Sequence, residues 1–171
     1  MQATTLVSVE EYLNSDYQPD CDYVDGVLEE RNLGEYNHGR LQMLISLYLH
    51  AQQRSSGIRV AVEQRIQVGP TRFRVPDVVV IDGKPTEQVL SQPPLLCVEV
   101  LSPEDRLSRV RGRADEYLRM GVPEVWIIDP ETLQAYRYNS DGLHEIRERV
   151  LITADGRVRL DLDAIEQDLR A

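Results

Sequence analysis

Hydrophobic and polar positions change their period several times along the chain, and each change predicts an element. Ser8 followed three residues later by Glu11 has the form of a capping box, so a short helix is expected from Val9 to about Asn14. Cys21–Arg31 contains D-Y-V-D-G-V-L-E-E and reads as a strand pair or hairpin turning at Asp25–Gly26. From about Asn37 to Gln53, Leu41, Leu44, Ile45 and Tyr48 recur at helical spacing and predict an amphipathic helix. Arg59–Val68 then alternates, with Val60, Val62, Ile66 and Val68 on one face and Glu63 and Arg65 on the other. Gly69–Pro70 is expected to turn the chain into a second strand, running from Thr71 through Asp77 to Ile81.

Asp82–Gly83 turns the chain again, and Pro93–Leu101 reads as a further buried strand. Ser102 is a plausible helix cap and Pro103 suits the first helical position, so a helix is expected to about Met120, stopping at Gly121 with Pro123 beyond. Glu124–Asp129 is a short apolar strand, which gives strand–helix–strand order and a right-handed parallel crossover. Ala135–Tyr138 and Leu143–Leu151 read as an antiparallel extension, followed by a Gly156 turn, a strand at Val158–Leu160 and a helix over 161–170. No internal repeat or interdomain linker interrupts residues 1–171, so one α/β domain is expected, with a mixed central sheet flanked by helices and an antiparallel C-terminal extension.

Composition narrows the function classes. Twenty-nine acidic against nineteen basic residues give a net charge of −10, which argues against whole-surface attraction to nucleic acid and leaves room for a local basic groove. Of those nineteen, Lys84 alone is a lysine and the rest are arginines. Cys21 and Cys97 match no metal or redox spacing, and Cys97 sits inside an apolar run as a small core side chain. The N-terminus lacks a secretory pattern and no apolar run approaches the ~20 residues that span a bilayer, so a cytoplasmic protein is expected.

The chemistry lies in two acids placed on consecutive apolar runs, Asp77 in V-P-D-V-V-V-I and Glu99 in L-L-C-V-E-V-L-S-P. A carboxylate in buried sheet is costly unless it has a partner. Strand periodicity puts Leu95, Cys97, Glu99 and Leu101 on one face and Leu96, Val98 and Val100 on the other. If the two strands are neighbours in register, Asp77 and Glu99 make an oxygen-rich site for Mg²⁺ or Mn²⁺, able to acidify water and neutralise a phosphate. The plainer reading leaves each acid at a strand end, solvated or paired with one of the arginines.

P-D-V-V-V-I, C-V-E-V-L-S-P-E-D-R, the helix ending D-E-Y-L-R-M and G-V-P-E-V-W-I-I-D-P together resemble the Uma-two family of endonucleases, within the PD-(D/E)XK nuclease superfamily. C-D-Y-V-D-G-V-L-E-E and the N-H-G-R helix start fit the same pattern. The resemblance implies a restriction-endonuclease-like fold, a DNA substrate, a divalent metal held by Asp77 and Glu99, and a homodimer able to address two strands. It also exposes a departure. The superfamily pattern places a lysine two residues after the Glu, where this chain has Leu101. The family's relocated lysine, four residues before the tyrosine, corresponds to Arg113 counted back from Tyr117. Arginine stabilises phosphate charge but does not deprotonate. A catalytically inactive nuclease-fold module that binds nucleic acid or protein is therefore the alternative.

Further residues have a functional and a plain reading each. Arg106 and Arg109 continue the Arg113 spacing opposite a Leu107–Val110–Ala114–Leu118 stripe and are candidate phosphate contacts, or else a solvated face balanced by nearby acids. His38, Asp22, Glu63 and Asp105 are accessory candidates: His38 as a substrate or metal contact or a helix-start hydrogen bond, Glu63 as part of the acidic site or an exposed residue, and Asp105 as a metal neighbour or helix cap. Lys84, in a D-G-K-P turn, is the remaining candidate for the missing lysine. Tyr117 and Trp126 read as core or interface aromatics and Asp129 as a turn former.

Overall fold

A computed structural model describes residues 6–31, 35–102 and 107–170. The Ser8 hydroxyl accepts from the Glu11 amide at 3.1 Å and starts α1 (Val9–Leu13). The hairpin of β1 (Cys21–Val24) and β2 (Val27–Glu30) turns through Asp25 and Gly26, both at positive φ. A two-residue hairpin turn of this kind demands such backbone, and Asp-Gly supplies it. Two helices follow, α2 (Tyr36–His50) and the short α3 (Gln53–Ser56).

The longer alternating stretches do not run straight through. Arg59–Val68 is broken into β3 (Ile58–Val62) and β4 (Ile66–Gly69), and Thr71–Ile81 into β5 (Arg72–Arg74) and β6 (Val78–Asp82). Glu63 takes φ +49° just after β3, and Pro76, with no amide to donate, sits between β5 and β6. Each break sends its two halves into different sheets. The order β2-β1-β5-β4 makes one, and the central one runs β10 (Gly142–Ile146), β9 (Ala135–Asn139), β8 (Val125–Ile128), β7 (Leu96–Val100), β6, β3.

In the central sheet β7 (Leu96–Val100) runs antiparallel to β6 and parallel to β8 (Val125–Ile128), with α4 (Leu107–Met120) between β7 and β8 in sequence. The helix ends in a Schellman arrangement: Gly121 N–H to Leu118 O and Val122 N–H to Tyr117 O, with Gly121 at φ +111°. Beyond it, β9 (Ala135–Asn139) and β10 (Gly142–Ile146) form the antiparallel extension. The predicted strand Leu143–Leu151 divides, because Arg149 adopts φ +57° and β11 (Val150–Ile152) leaves to pair with β12 (Arg159–Asp161). A helix, α5 (Leu162–Arg170), follows.

Two apolar layers sandwich the central sheet. On one face Val78, Val80, Leu96, Val98 and Val100 pack against Leu41, Leu44, Ile45 and Leu49 of α2 (Tyr36–His50) and Ile165 of α5. Val79, Cys97, Val125 and Ile127 pack on the other face against Val110, Ala114 and Tyr117 of α4. Each fully buried Leu or Ile contributes about 1.5–3 kcal/mol, so these layers fix both helices to the sheet. Leu95, just before β7, packs with the first layer instead of sharing the Cys97 face. Among the described residues no helix is long and apolar enough to cross a membrane.

Candidate active site

Pairing of β6 with β7 sets Val78 against Val98 and Val79 against Cys97. Continuing that register one residue places Asp77 opposite Glu99, on the face shared by Val79 and Cys97. Both acids are 3% exposed, at the floor of a cleft of about 1060 Å³. The cleft opens where the ends of α2 and α4, from opposite faces of the sheet, meet the β1–β2 hairpin.

Each carboxylate is held by its own partners. Asp77 Oδ1 accepts from Arg31 Nη2 at 2.7 Å, while Oδ2 accepts from the Val100 amide at 2.8 Å and lies 3.4 Å from His38 Nε2. Gln42, one turn along α2, donates to the Asp77 carbonyl at 3.0 Å. Glu99 Oε1 accepts from the Tyr117 hydroxyl at 2.7 Å, and Oε2 from Arg113 Nη2 at 3.0 Å. Arg113 and Tyr117 are four residues apart on α4, so one helical turn brings both to the same acid.

The partners push the two acids apart electrostatically. Burial works to raise Asp77, but hydrogen bonding to His38 and the charges of Arg31 and His38 outweigh it and hold its carboxyl below the usual range. Burial lifts Glu99 above its usual range, and the charge of Asp77 adds to that lift against the opposing charge of Arg113. The hydrogen bond to Asp77 raises His38. Asp77 is thus held in its charged form, while Glu99 gives up its proton less readily.

Asp22 belongs to a neighbouring network. Its Oδ1 accepts from the Val75 amide at 2.9 Å and its Oδ2 from Arg74 Nη1 at 2.9 Å. Arg74 also donates to Glu116 on α4 and Glu29 on β2. One buried guanidinium thereby ties the small sheet to α4, the helix that carries Arg113. Glu63 is half exposed at the cleft edge, 4.0 Å from Arg31. Arg109 is exposed and lines the cleft, whereas Lys84 is exposed and does not. Asp105 and Arg106 lie outside the described residues. Leu101, at the superfamily's lysine position, packs against the α4 layer.

Trp126 is fully buried, and Asp129 accepts from the Glu131 and Thr132 amides in a turn. Sequence reasoning missed two side chains that hydrogen-bond the paired carboxylates, Tyr117 and Arg31. The four-residue step from Arg113 to Tyr117 was a usable signal that the tyrosine hydroxyl reaches Glu99. Arg31, one of many arginines in a segment between elements, carried none.

Residues 9–169 match the Uma2 family model, described as "Putative restriction endonuclease". Among solved structures, the chain is similar to a "putative nuclease belonging to DUF820" from Anabaena variabilis ATCC 29413, with a TM-score of 0.81 and 16% identity over 94% of this chain and 98% of that one. At that identity the likeness is one of fold. No curated protein matches the chain.

Proposed function

The chain belongs to the Uma2 family, and from that membership and the cleft geometry we propose that it is a divalent-cation-dependent DNA endonuclease. The observation that carries the reading is the pairing of Asp77 with Glu99 on one face of adjacent strands, both buried and both open to one cleft.

The residues present fit an oxygen-coordinated ion. Burial is the main cause that lifts Glu99, the charge of Asp77 adds to it, and a bound cation would favour the ionised form of both. Among the described residues no group of three His, Cys, Asp or Glu side chains gathers as a metal cage. Mg²⁺ and Mn²⁺ tolerate that, because Mg²⁺ usually takes one or two carboxylates and completes its shell with water and phosphate oxygens. When bound, such an ion neutralises phosphate charge and acidifies water.

The chain's own groups then divide the work. Asp77 is kept ionised by Arg31 and His38 and oriented by the Val100 amide. Tyr117 and Arg113 aim Glu99, and the Arg113 guanidinium stabilises charge developing on the phosphate. Arg109 contacts phosphate further along the cleft.

The test is cleavage of linear, supercoiled and single-stranded DNA with Mg²⁺ or Mn²⁺, comparing the native chain with Asp77→Ala. Cleavage should vanish in the variant; equal activity would overturn the assignment. One observation favours a second reading, a nuclease fold that binds without cutting: the described part of the cleft contains no lysine. A homodimer fits the need to cut two strands, and sedimentation tests it.

A further inference from the structure

Nine of the glycines fall within the described residues, and most have a backbone reason to be glycine. Six adopt positive φ, and Gly69 sits at the turn from β4 to β5. Gly39 and Gly112 are different. They alone among the described glycines lie inside helices, at the fourth residue of α2 and the sixth of α4. Neither has a positive φ, and beyond its chain neighbours and its own helix backbone a Cβ built on either meets no atom of the described residues within 4 Å.

Among the described residues, therefore, nothing in the fold requires the side chain to be missing at these two places. Its absence incurs a cost, since glycine inside a helix is less favourable than alanine, its backbone losing more freedom on folding. Both residues line the cleft that holds Asp77 and Glu99. They do so from helices on opposite faces of the central sheet, so the coincidence involves two independent elements. Their cleft-lining neighbours are polar and of both signs, with Glu116 one turn after Gly112 and Glu35 one turn before Gly39. Gly112 stands between the cleft-lining Arg109 and Arg113, three residues before and one after, and Gly39 between His38 and Gln42.

We infer that Gly39 and Gly112 are binding positions of the cleft, where the sugar–phosphate backbone of bound DNA comes into van der Waals contact with the main chain of α2 and α4. The inference rests on the nucleic-acid substrate read above. A methyl group at either position would stand where the ligand backbone must pass. At Gly112 it would also hold a phosphate away from the arginines on either side. The cleft, at about 1060 Å³, has room for a stretch of nucleotide backbone as well as an ion.

The experiment measures two quantities on the full chain, thermal stability and the Kd for fluorescent duplex and single-stranded DNA in Ca²⁺, for Gly39→Ala, Gly112→Ala and Gly112→Leu. Each alanine variant should melt higher by about 2–4 °C, the shift that the helix-propensity gain implies for a chain of this size. Each should also bind DNA more weakly, the loss deepening to roughly tenfold or more for leucine at position 112. Stabilised variants with unchanged Kd would overturn the inference while leaving the endonuclease reading intact. Destabilised alanine variants would also overturn it, since the fold would then need the glycines. If the native chain binds no DNA but Asp77→Ala still removes a Mn²⁺-induced melting shift, the nucleic-acid reading and this inference fall together, and the metal site survives.

Discussion

The Tyr117 hydroxyl donates to Glu99 Oε1 across 2.7 Å inside the protein, from a side chain with no solvent exposure. Burial, reinforced by the charge of Glu99, pushes that hydroxyl well above its usual range, so it stays a proton donor at any working pH. Tyr117→Phe keeps the ring in the α4 layer and removes one oxygen. The orphaned carboxylate oxygen should cost about 1–3 kcal/mol of stability. If Glu99 holds the proposed ion, loss of its orienting hydrogen bond should weaken Mn²⁺ binding by roughly 10–100-fold. Calorimetry of metal binding checks this, and an unchanged affinity would show that Arg113 alone positions Glu99.

Arg113 makes the remaining side-chain hydrogen bond described for Glu99, at 3.0 Å. If its contribution is charge alone, Arg113→Lys should cleave DNA within about tenfold of the native chain, while Arg113→Met should lose far more. A gain well beyond tenfold in the lysine variant would mean that the reaction needs a group able to shed a proton. The native chain would then be the non-cutting module.

Glu116 gives the pH dependence. Burial opposes its ionisation, but the hydrogen bonds and charges of Arg74 and Arg72 prevail and hold its carboxyl below the usual 4.5. Because the folded value is depressed, its contribution is fully present above pH 4.5 and is lost as pH falls through the lower folded value. Glu116→Gln should therefore be less stable at pH 7 by roughly 1–3 kcal/mol. Its stability should also fall less steeply below pH 4.5 than that of the native chain. Urea melts across that range measure both, and parallel acid limbs in the two proteins would remove Glu116 from the account.

The sheet-and-helix order was legible because burial sets hydrophobic period, and the Val78–Asp82 and Leu96–Val100 runs left little choice of element. The breaks at Glu63, Pro76 and Arg149 were less so: each is a single residue at a junction, and alternation continues across it in sequence while the chain changes sheet. The two acids stood out by being charged within apolar runs. Of their partners, Arg113 and His38 were candidates as well, and Arg31 was not. Arg74 and Arg31 are cations in a chain rich in arginine, and only the meeting of β1, β2, β5 and α4 shows that Arg74 binds three acids at once.

Arg31 leads to the last expectation. Its Nη2 sits 2.7 Å from Asp77 Oδ1, and it feels the charges of Asp77, Glu99, Asp22 and Glu63. A guanidinium in that place supplies the positive charge that a divalent ion would also supply, and it uses one of the oxygens such an ion would take. Arg31 and the ion should therefore compete. Arg31→Ala removes the internal cation, so the metal-free variant should melt lower than the native chain, with Asp77 left to His38 and the Val100 amide. Added Mn²⁺ should then raise its melting temperature by more than it raises that of the native chain, because binding no longer has to displace a charge already present. Thermal melts with and without Mn²⁺ measure the difference. An equal or smaller rise in the variant would mean that Arg31 supports the bound ion instead of opposing it.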